Sequence, residues 1–422
     1  MKCFYPADIL IPDFGKTDGT RWAVIACDQF TGEPEYWKKV ADTVGDEPST
    51  LKIIIPEAFL AQTADRLPRV NETMEYYLEN VLCEHKNSMI YVERTQSDGR
   101  VRRGIVGAVD LEDYDYGKNS HSPIRATEGT VLERIPPRVA VRRGACIEAP
   151  HVMLLVNDHA NAVFSGLEDT KEDNTSAAYD FPLMLGGGHI KGRFLNEREI
   201  KVVSEALENI AKEGNGSENA APLLFAIGDG NHSLASAKAL YEELKKQIGP
   251  EKAEKHPARY ALAEMVNIYD PALDFEPIYR ILTNCDAEDV LKALEKYALN
   301  IDNSSLTDDK CKPQVIRCFF GSKEKTVTVK YPKKKITVAT LEDFLEEYLS
   351  SHSRTAVDYI HDEGSVRELS KKENTVGFVF EGITKDGFFE AIEKDGAFPR
   401  KTFSMGHARD KRYYLECRKI VE

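Results

Sequence analysis

Between Leu223 and Leu244 the sequence changes its period within five residues. Leu223-Leu224-Phe225-Ala226-Ile227 is a continuous apolar run of strand length, and Leu234, Ala237, Tyr241 and Leu244 then recur at helical spacing. Gly228-Asp229-Gly230-Asn231-His232 lies between them, so the chain has to pass from an extended segment into a helix inside that stretch. The backbone N–H groups that open a helix have no partner within it and stabilise negative charge. Glycine lets the backbone come close to a ligand, and Ser233, Ala235, Ser236 and Ala237 leave the first turns uncluttered. A phosphate or carboxylate fits such a turn. The plainer reading is that Asn231 or Ser233 caps the helix and Asp229 closes the bend.

Two other segments carry candidate chemistry. Residues 121–144 contain His121, Arg125, Glu128, Thr130, Arg134, Arg138, Arg142 and Arg143. The rigid guanidinium fork suits phosphate, and Glu128 is placed to act as a general base or a magnesium ligand. Alternatively, Glu128 pairs with Arg125 or Arg134 in a salt-bridged loop. Gly186-Gly187-Gly188 before His189 and Lys191 implies tight backbone approach or a mobile lid, without the spacing of a phosphate-binding Walker loop. Asp28, His361, Lys401, His407, Arg409 and Arg412 are further candidates. The histidines, His151 and His159 among them, show no zinc spacing. No nucleophile sits in an elbow motif, which disfavours a serine or cysteine triad.

The rest of the chain reads as an irregular mixture of strands and helices. YVERT and RRGIVGAVDL predict a hairpin over the turn at 97–100. Residues 56–86 read as helical, and 110–150 as a long functional loop rich in charge and proline. HVMLLVND is a strand, and the glycine run interrupts PLMLGGGHIKGRF. A helix follows in which Asn196 and Glu199 form a capping box, while 214–222 reads as a surface loop. Residues 257–283 read as helix then strand. Further on, QVIRCFFG and KTVTVKY read as paired strands, and a helix is expected from Thr340, capped by its hydroxyl with Asp343. The fold expected is α+β, with mixed sheets, flanking helices and a second α/β lobe. Its parts are a main domain over 1–283, a lobe over 284–395 and a tail, 396–422, that returns to the main domain.

A length of 422 residues exceeds one ordinary core. A net charge of −14 argues against nucleic acid as a partner, and Lys333-Lys334-Lys335 reads as a solvated turn. The 8 cysteines form no Cys-x-x-Cys pair. No signal-peptide pattern or membrane-length apolar stretch is present, so the expectation is a cytoplasmic chain with reduced thiols and no membrane partner.

The segments RATEGTVLERIPPR, APHVMLLVND, GGGHIKG, GDGNHSLASAK, MVNIYDPALDFEPIYR and FPRKTFSMGHARDKRYYLECRKI resemble the bacterial and archaeal domain-of-unknown-function 1015 family over nearly the whole chain. Where that family has Asp-Gly-His-His-Arg, this chain has Asp229-Gly230-Asn231-His232-Ser233; Tyr279-Arg280 stands where it has His-Arg. Thr127-Glu128-Gly129-Thr130 matches its His-Glu-x-Thr stretch, so the chain reads as a distinct branch. The turn is in turn similar to the phosphate-handling turn of the ParB and sulfiredoxin-like superfamily, which includes partition proteins, free-serine kinases and sulfiredoxins. No cysteine lies near the turn, which disfavours sulfiredoxin chemistry.

That resemblance implies a nucleotide-dependent phosphoryl transfer to or from a small, serine-like hydroxyl metabolite. Glu128, Asp229 and His232 are the expected catalytic residues. Gly228, Gly230, Asn231, Ser233, Arg125, Arg134, His189, Lys191 and Arg280 are expected around ATP or ADP, with Mg2+ on Asp229 and Glu128. Alternatives are a phosphate-ester hydrolase and a non-enzymatic sensor of nucleotides or phosphometabolites. The expected partner is a small phosphorylated metabolite, and a homodimer is compatible with this reading.

Overall fold

Odd and even residues of the central strands are both apolar, and both sets are buried. In Val101–Asp110 every residue from Gly104 onward is buried, as is every residue of Tyr260–Asn267 after the first. Side chains alternate between the two faces of a strand, so these strands are covered on both sides. The computed structural model describes residues 3–168, 177–213, 222–304 and 311–422. Two compact units divide the chain: Met1–Ala126, Thr130–Leu273 and His407–Glu422 form the first, and Thr127–Gly129 with Asp274–Gly406 the second.

The first unit is built on a mixed sheet of 10 strands. They are β1 (Phe4–Tyr5), β2 (Ile90–Thr95), β3 (Val101–Asp110), β4 (Tyr114–Asp115), β5 (Ile124–Arg125), β6 (Met153–Val156), β7 (Tyr179–Pro182), β8 (His189–Phe194), β9 (Phe225–Asp229) and β10 (Tyr260–Asn267). The order is β7-β8-β2-β3-β10-β6-β9-β5-β4, with β1 pairing off β3. Its helices include α1 (Pro34–Val44), α2 (Thr63–Asn80), α3 (Ile135–Arg143), α4 (Glu197–Glu213) and α5 (Asn231–Ile248). Ile90, Val92, Val106, Ala108 and Leu262 join a core with Trp37 of α1 and Met74 of α2. Their sequence neighbours Tyr91, Ile105, Val109, Ala261 and Ala263 join a second core with Val203 of α4 and Leu234 and Tyr241 of α5. A smaller sheet joins Leu82–Ser88, Ala7–Pro12, Cys417–Lys419 and Ile147–Glu148, so the tail is woven into the first unit.

The second unit holds a five-stranded antiparallel sheet with β11 (Tyr279–Thr283), β12 (Gln314–Phe320), β13 (Lys323–Val329), β14 (Ala356–Ile360) and β15 (Thr375–Phe380), in the order β13-β12-β15-β11-β14. Four helices accompany it: α6 (Ala287–Ser304), α7 (Thr337–Ser351), α8 (Glu363–Leu369) and α9 (Lys385–Asp395).

The expected α/β mixture, the β2–β3 hairpin and the β12–β13 pair are present. The capping box is reciprocal: Glu199 N–H donates to Asn196 Oδ1 at 3.0 Å, and Asn196 N–H donates to Glu199 Oε2 at 2.9 Å. Other readings are corrected. The helix expected after 257 is one 3-10 turn, Pro257–Arg259, followed by β10. Ala, Leu, Glu and Met favour helix, but the parallel pairing of β10 with β6 in a covered sheet overrides that preference. The helix over 56–86 is a 3-10 segment and α2, ending at Asn80 before the strand Leu82–Ser88. The 110–150 loop contains α3, whose Pro136 and Pro137 occupy the first turn, where no helical hydrogen bond is lost. The helix expected at Thr340 begins at Thr337, with Ile336 before it and no side-chain cap. The triple glycine closes the β7–β8 hairpin, where a Cβ on Gly188 would meet Thr95 O at 2.0 Å. β11, expected in the main domain, belongs to the second unit's sheet. The 214–222 loop reading falls outside the described residues except at Pro222.

Candidate functional site

The register of two antiparallel strands brings distant residues to one place. Asp229 ends β9 and pairs with Met153 at the start of β6, beside an irregularity that separates Met153 from Leu154. His151 lies two residues before that start. Gly230 then turns the chain into α5 with φ +81, and a Cβ there would lie 2.3 Å from His151 O. Both the left-handed backbone and the close carbonyl demand glycine. Gly230→Ala is expected to cost about 2 kcal/mol or more; a urea-unfolding loss below about 0.5 kcal/mol contradicts this packing.

No side chain caps α5, so the plainer reading of Asn231 or Ser233 as its cap is set aside. Asp229 closes its own turn, as Gly230 N–H donates to Asp229 Oδ1 at 2.9 Å. Ala235 packs on Ile135 and Val139, which explains the small residues: they admit α3. The arginine-rich segment does reach the turn. Asn231 Nδ2 donates to Thr130 Oγ1 at 3.3 Å, and Val131 N–H donates to His232 Nε2 at 3.3 Å.

Asp28 and Lys411 arrive through another pairing. Val24–Ile25 pairs antiparallel with Tyr413–Tyr414. Asp28 follows the first strand and Lys411 precedes the second. The tail is held firmly here. Arg94 donates to Lys411 O at 3.0 Å, Asp410 accepts from Ser97 N–H and Oγ at 2.7 Å each, and Arg412 donates to Val152 O at 3.2 Å. Lys411 Nζ lies 3.2 Å from Asp229 Oδ2, and His151 Nε2 lies 3.3 Å from Asp28 Oδ1. On its other side His151 Nδ1 meets Tyr414 Oη at 2.8 Å, and that oxygen meets Cys27 Sγ at 3.0 Å.

Burial would neutralise these charges, but their partners prevent it. Burial works against the Asp28 carboxylate, yet the His151 charge and contact, and then Lys411, hold it well below the usual carboxylate range. Burial likewise opposes a charged His151, and Asp28 followed by Asp229 raises its pKa nonetheless. Lys411 is buried too, and Asp229 keeps its pKa raised. Burial and Asp28 push the Cys27 thiol up to about 12, which leaves it protonated.

A pH dependence follows for the metal-free protein. The contribution of His151 is complete below its unfolded pKa of about 6.5 and is lost as pH rises through the higher folded value. That of Asp28 is complete above about 3.9 and is lost as pH falls through the depressed value. The stability difference between the parent and His151→Gln should therefore be largest at about pH 6 and shrink as the solution is made more alkaline. Urea titrations across that rise in pH check it, and a constant difference contradicts it.

Among the described residues, one group of His, Cys, Asp or Glu side chains converges as metal ligands do: Asp28, His151 and Asp229, with ligand atoms all within 4.8 Å of one another. Only Asp229 was expected there. Glu128 belongs to the second unit, where its backbone bridges to Phe398. Arg280 is in that unit as well, fully buried; it is paired with Glu342 and donates to Lys401 O at 2.9 Å and Arg400 O at 3.2 Å. Arg125 is buried and donates to Ser122 O at 2.7 Å. Arg138, Arg142 and Arg143 pair with Glu57, Glu148 and Glu243, and Arg134 is exposed. His189 and Lys191 both face Asp180 on the β7–β8 hairpin. Gly228, Gly230, Asn231, His232 and Ser233 all lie at the turn. Arg412, a weaker candidate, is buried against Glu264 and Glu416.

One protein-family model, described as "Protein of unknown function (DUF1015)", matches residues 13–420. No curated protein matches the chain. Several solved structures are similar at low identity, these three among them. A mutant of free serine kinase in complex with AMP has a TM-score of 0.38 at 11% identity, covering 76% of this chain and 92% of its own. A conserved hypothetical protein from Pyrococcus furiosus has 0.33 at 10%, covering 71% and 90%. C-terminally truncated SbnI from Staphylococcus aureus has 0.35 at 9%, covering 71% and 82%. Likenesses this low bear on neither ligand nor chemistry. All eight cysteines are free thiols, and no described helix is long and apolar enough to cross a membrane.

Proposed function

We propose that this chain, which belongs to the DUF1015 family, carries out cation-assisted phosphoryl transfer between a nucleotide and a small hydroxyl-bearing metabolite. The observation that carries the reading is the convergence of Asp28, His151 and Asp229 at the turn that opens α5, with Lys411 against Asp229. Phosphoryl transfer asks a protein mainly for positioning and for charge opposite the phosphate oxygens. The strand–turn–helix is read as the phosphate cradle that the ParB and sulfiredoxin-like resemblance implies.

Each group has a task in that chemistry. Lys411 and the start of α5 face the negative charge of the phosphates. Asp28, His151 and Asp229 are the residues that would hold a divalent cation, which supplies Lewis-acid neutralisation when bound. The donors fit one, because two carboxylates and an imidazole nitrogen meet in a mostly buried place. Once His151 gives up its proton to ligate, two carboxylates face Lys411 alone, and a bound dication turns that negative balance positive and favours an arriving anion. Asp28, the more exposed carboxylate at 33% against 15% for Asp229, is the one more open to an incoming hydroxyl group, which it would orient rather than deprotonate. His232 accepts from Val131 through Nε2, so that nitrogen does not donate to a phosphoryl group while the contact lasts.

The test is an assay by phosphorus NMR. The chain, ATP or ADP, a divalent cation and a pool of serine-like hydroxyl compounds should yield a new phosphomonoester. Inorganic phosphate alone would favour the hydrolase. Nucleotide binding without any turnover would replace the enzyme by a sensor.

A further inference from the structure

The cation's class can be read from its ligands, given the phosphoryl-transfer reading above. We propose that the Asp28–His151–Asp229 position takes a first-row transition ion of the Mn2+ class in preference to Mg2+. Two observations carry this beyond a pair of carboxylates.

The first is the placement of His151. Its ring is 5% exposed, and Nε2 lies 3.3 Å from Asp28 Oδ1 without the alignment of a hydrogen bond. Two adjacent ligands of one ion with bonds of about 2.1 Å lie about 3.0–3.4 Å apart. The spacing suits two ligands of one ion, which would take the place of the Nε2 proton that faces Asp28 in the metal-free protein. Imidazole is a good ligand for first-row transition ions, whereas Mg2+ prefers oxygen and gives up its water reluctantly.

The second is the orientation of the ring. Nδ1 faces Tyr414 Oη at 2.8 Å, and Tyr414 Oη faces Cys27 Sγ at 3.0 Å. With Nδ1–H donating to Tyr414 and Tyr414 donating to Cys27, Nε2 is turned toward Asp28, and loss of its proton to an entering ion would leave its lone pair there. Histidines that bind metals commonly donate their other N–H in this way, which fixes the tautomer. Tyr414 is thus a positioning residue. The arrangement is coupled to the fold, because Tyr414 pairs with Val24 four residues before Asp28.

The experiment uses the full chain stripped with a chelator and titrated with MnCl2, with free Mn2+ read from its electron paramagnetic resonance signal. One Mn2+ should bind per chain, and about 100-fold excess Mg2+ or more should be needed to displace half of it. His151→Gln should bring the two ions to near parity. Tyr414→Phe, with circular dichroism unchanged, should weaken Mn2+ by about 10–100-fold and alter the visible spectrum of the Co2+ form, which a merely structural role would leave as it is. Displacement by equimolar Mg2+, or no more binding than in Asp28→Asn/Asp229→Asn, overturns the proposal. Selective Mn2+ binding without any phosphoryl transfer would sink the function and leave the site. Transfer supported by Mg2+, with no preference for Mn2+, would do the reverse.

Discussion

Asp229→Asn is expected to lower phosphoryl transfer by about 10²–10³-fold or more while leaving the fold in place. Asparagine keeps the shape of the side chain and an oxygen for the Gly230 N–H, so the turn into α5 survives. The charge is lost, and with it one ligand of the converging group and the counter-ion of Lys411. A buried lysine left opposite a neutral amide costs about 1–3 kcal/mol, a loss the whole protein can absorb. The measurement pairs the transfer rate with the urea midpoint. A rate within about threefold of the parent, measured where the urea curve shows the variant folded, would remove Asp229 from the chemistry.

Glu264→Gln should be strongly destabilising, at about 3–5 kcal/mol. Glu264 is 2% exposed and lies 3.3 Å from Arg102 Nη2 and 3.4 Å from Arg412 Nε. Burial alone would raise its pKa; Arg102, Arg412 and Arg94 together pull it below the ordinary glutamate range. Neutralising it leaves two buried guanidinium groups short of a carboxylate, and such groups are costly when unpaired. Arg412 adjoins Lys411 and holds Val152 O beside His151, so cation binding should weaken together with the fold. Thermal and urea unfolding check this, and a loss below about 1 kcal/mol would show that Glu416 suffices for Arg412.

How much of this could be read in the chain depends on whether the signal was local. The bend at Gly228–His232 is legible because an apolar strand gives way to a helical repeat within a few residues. The capping box at Asn196 and the β2–β3 hairpin are local in the same sense. His151, Asp28, Lys411 and Tyr414 are not. They meet Asp229 through the pairing of β9 with β6 and of Val24–Ile25 with Tyr413–Tyr414, and pairing between distant strands leaves no mark in local periodicity. Asp28 and His151 each stand out singly in the sequence, but nothing in their spacing joins them. The arginines of 121–144 were the right residue type for phosphate. Folding of Ile135–Arg143 as a helix gives Arg138, Arg142 and Arg143 to Glu57, Glu148 and Glu243, and the positive charge beside Asp229 is Lys411.

A crystal of the chain grown with MnCl2 and ADP puts the central idea to its most direct test, through the anomalous signal of manganese. The expected map has one strong peak about 2.0–2.3 Å from Asp28, His151 Nε2 and Asp229, with phosphate oxygens between that peak and Lys411. ADP bound with its phosphates elsewhere, and no manganese among those three side chains, would contradict the account.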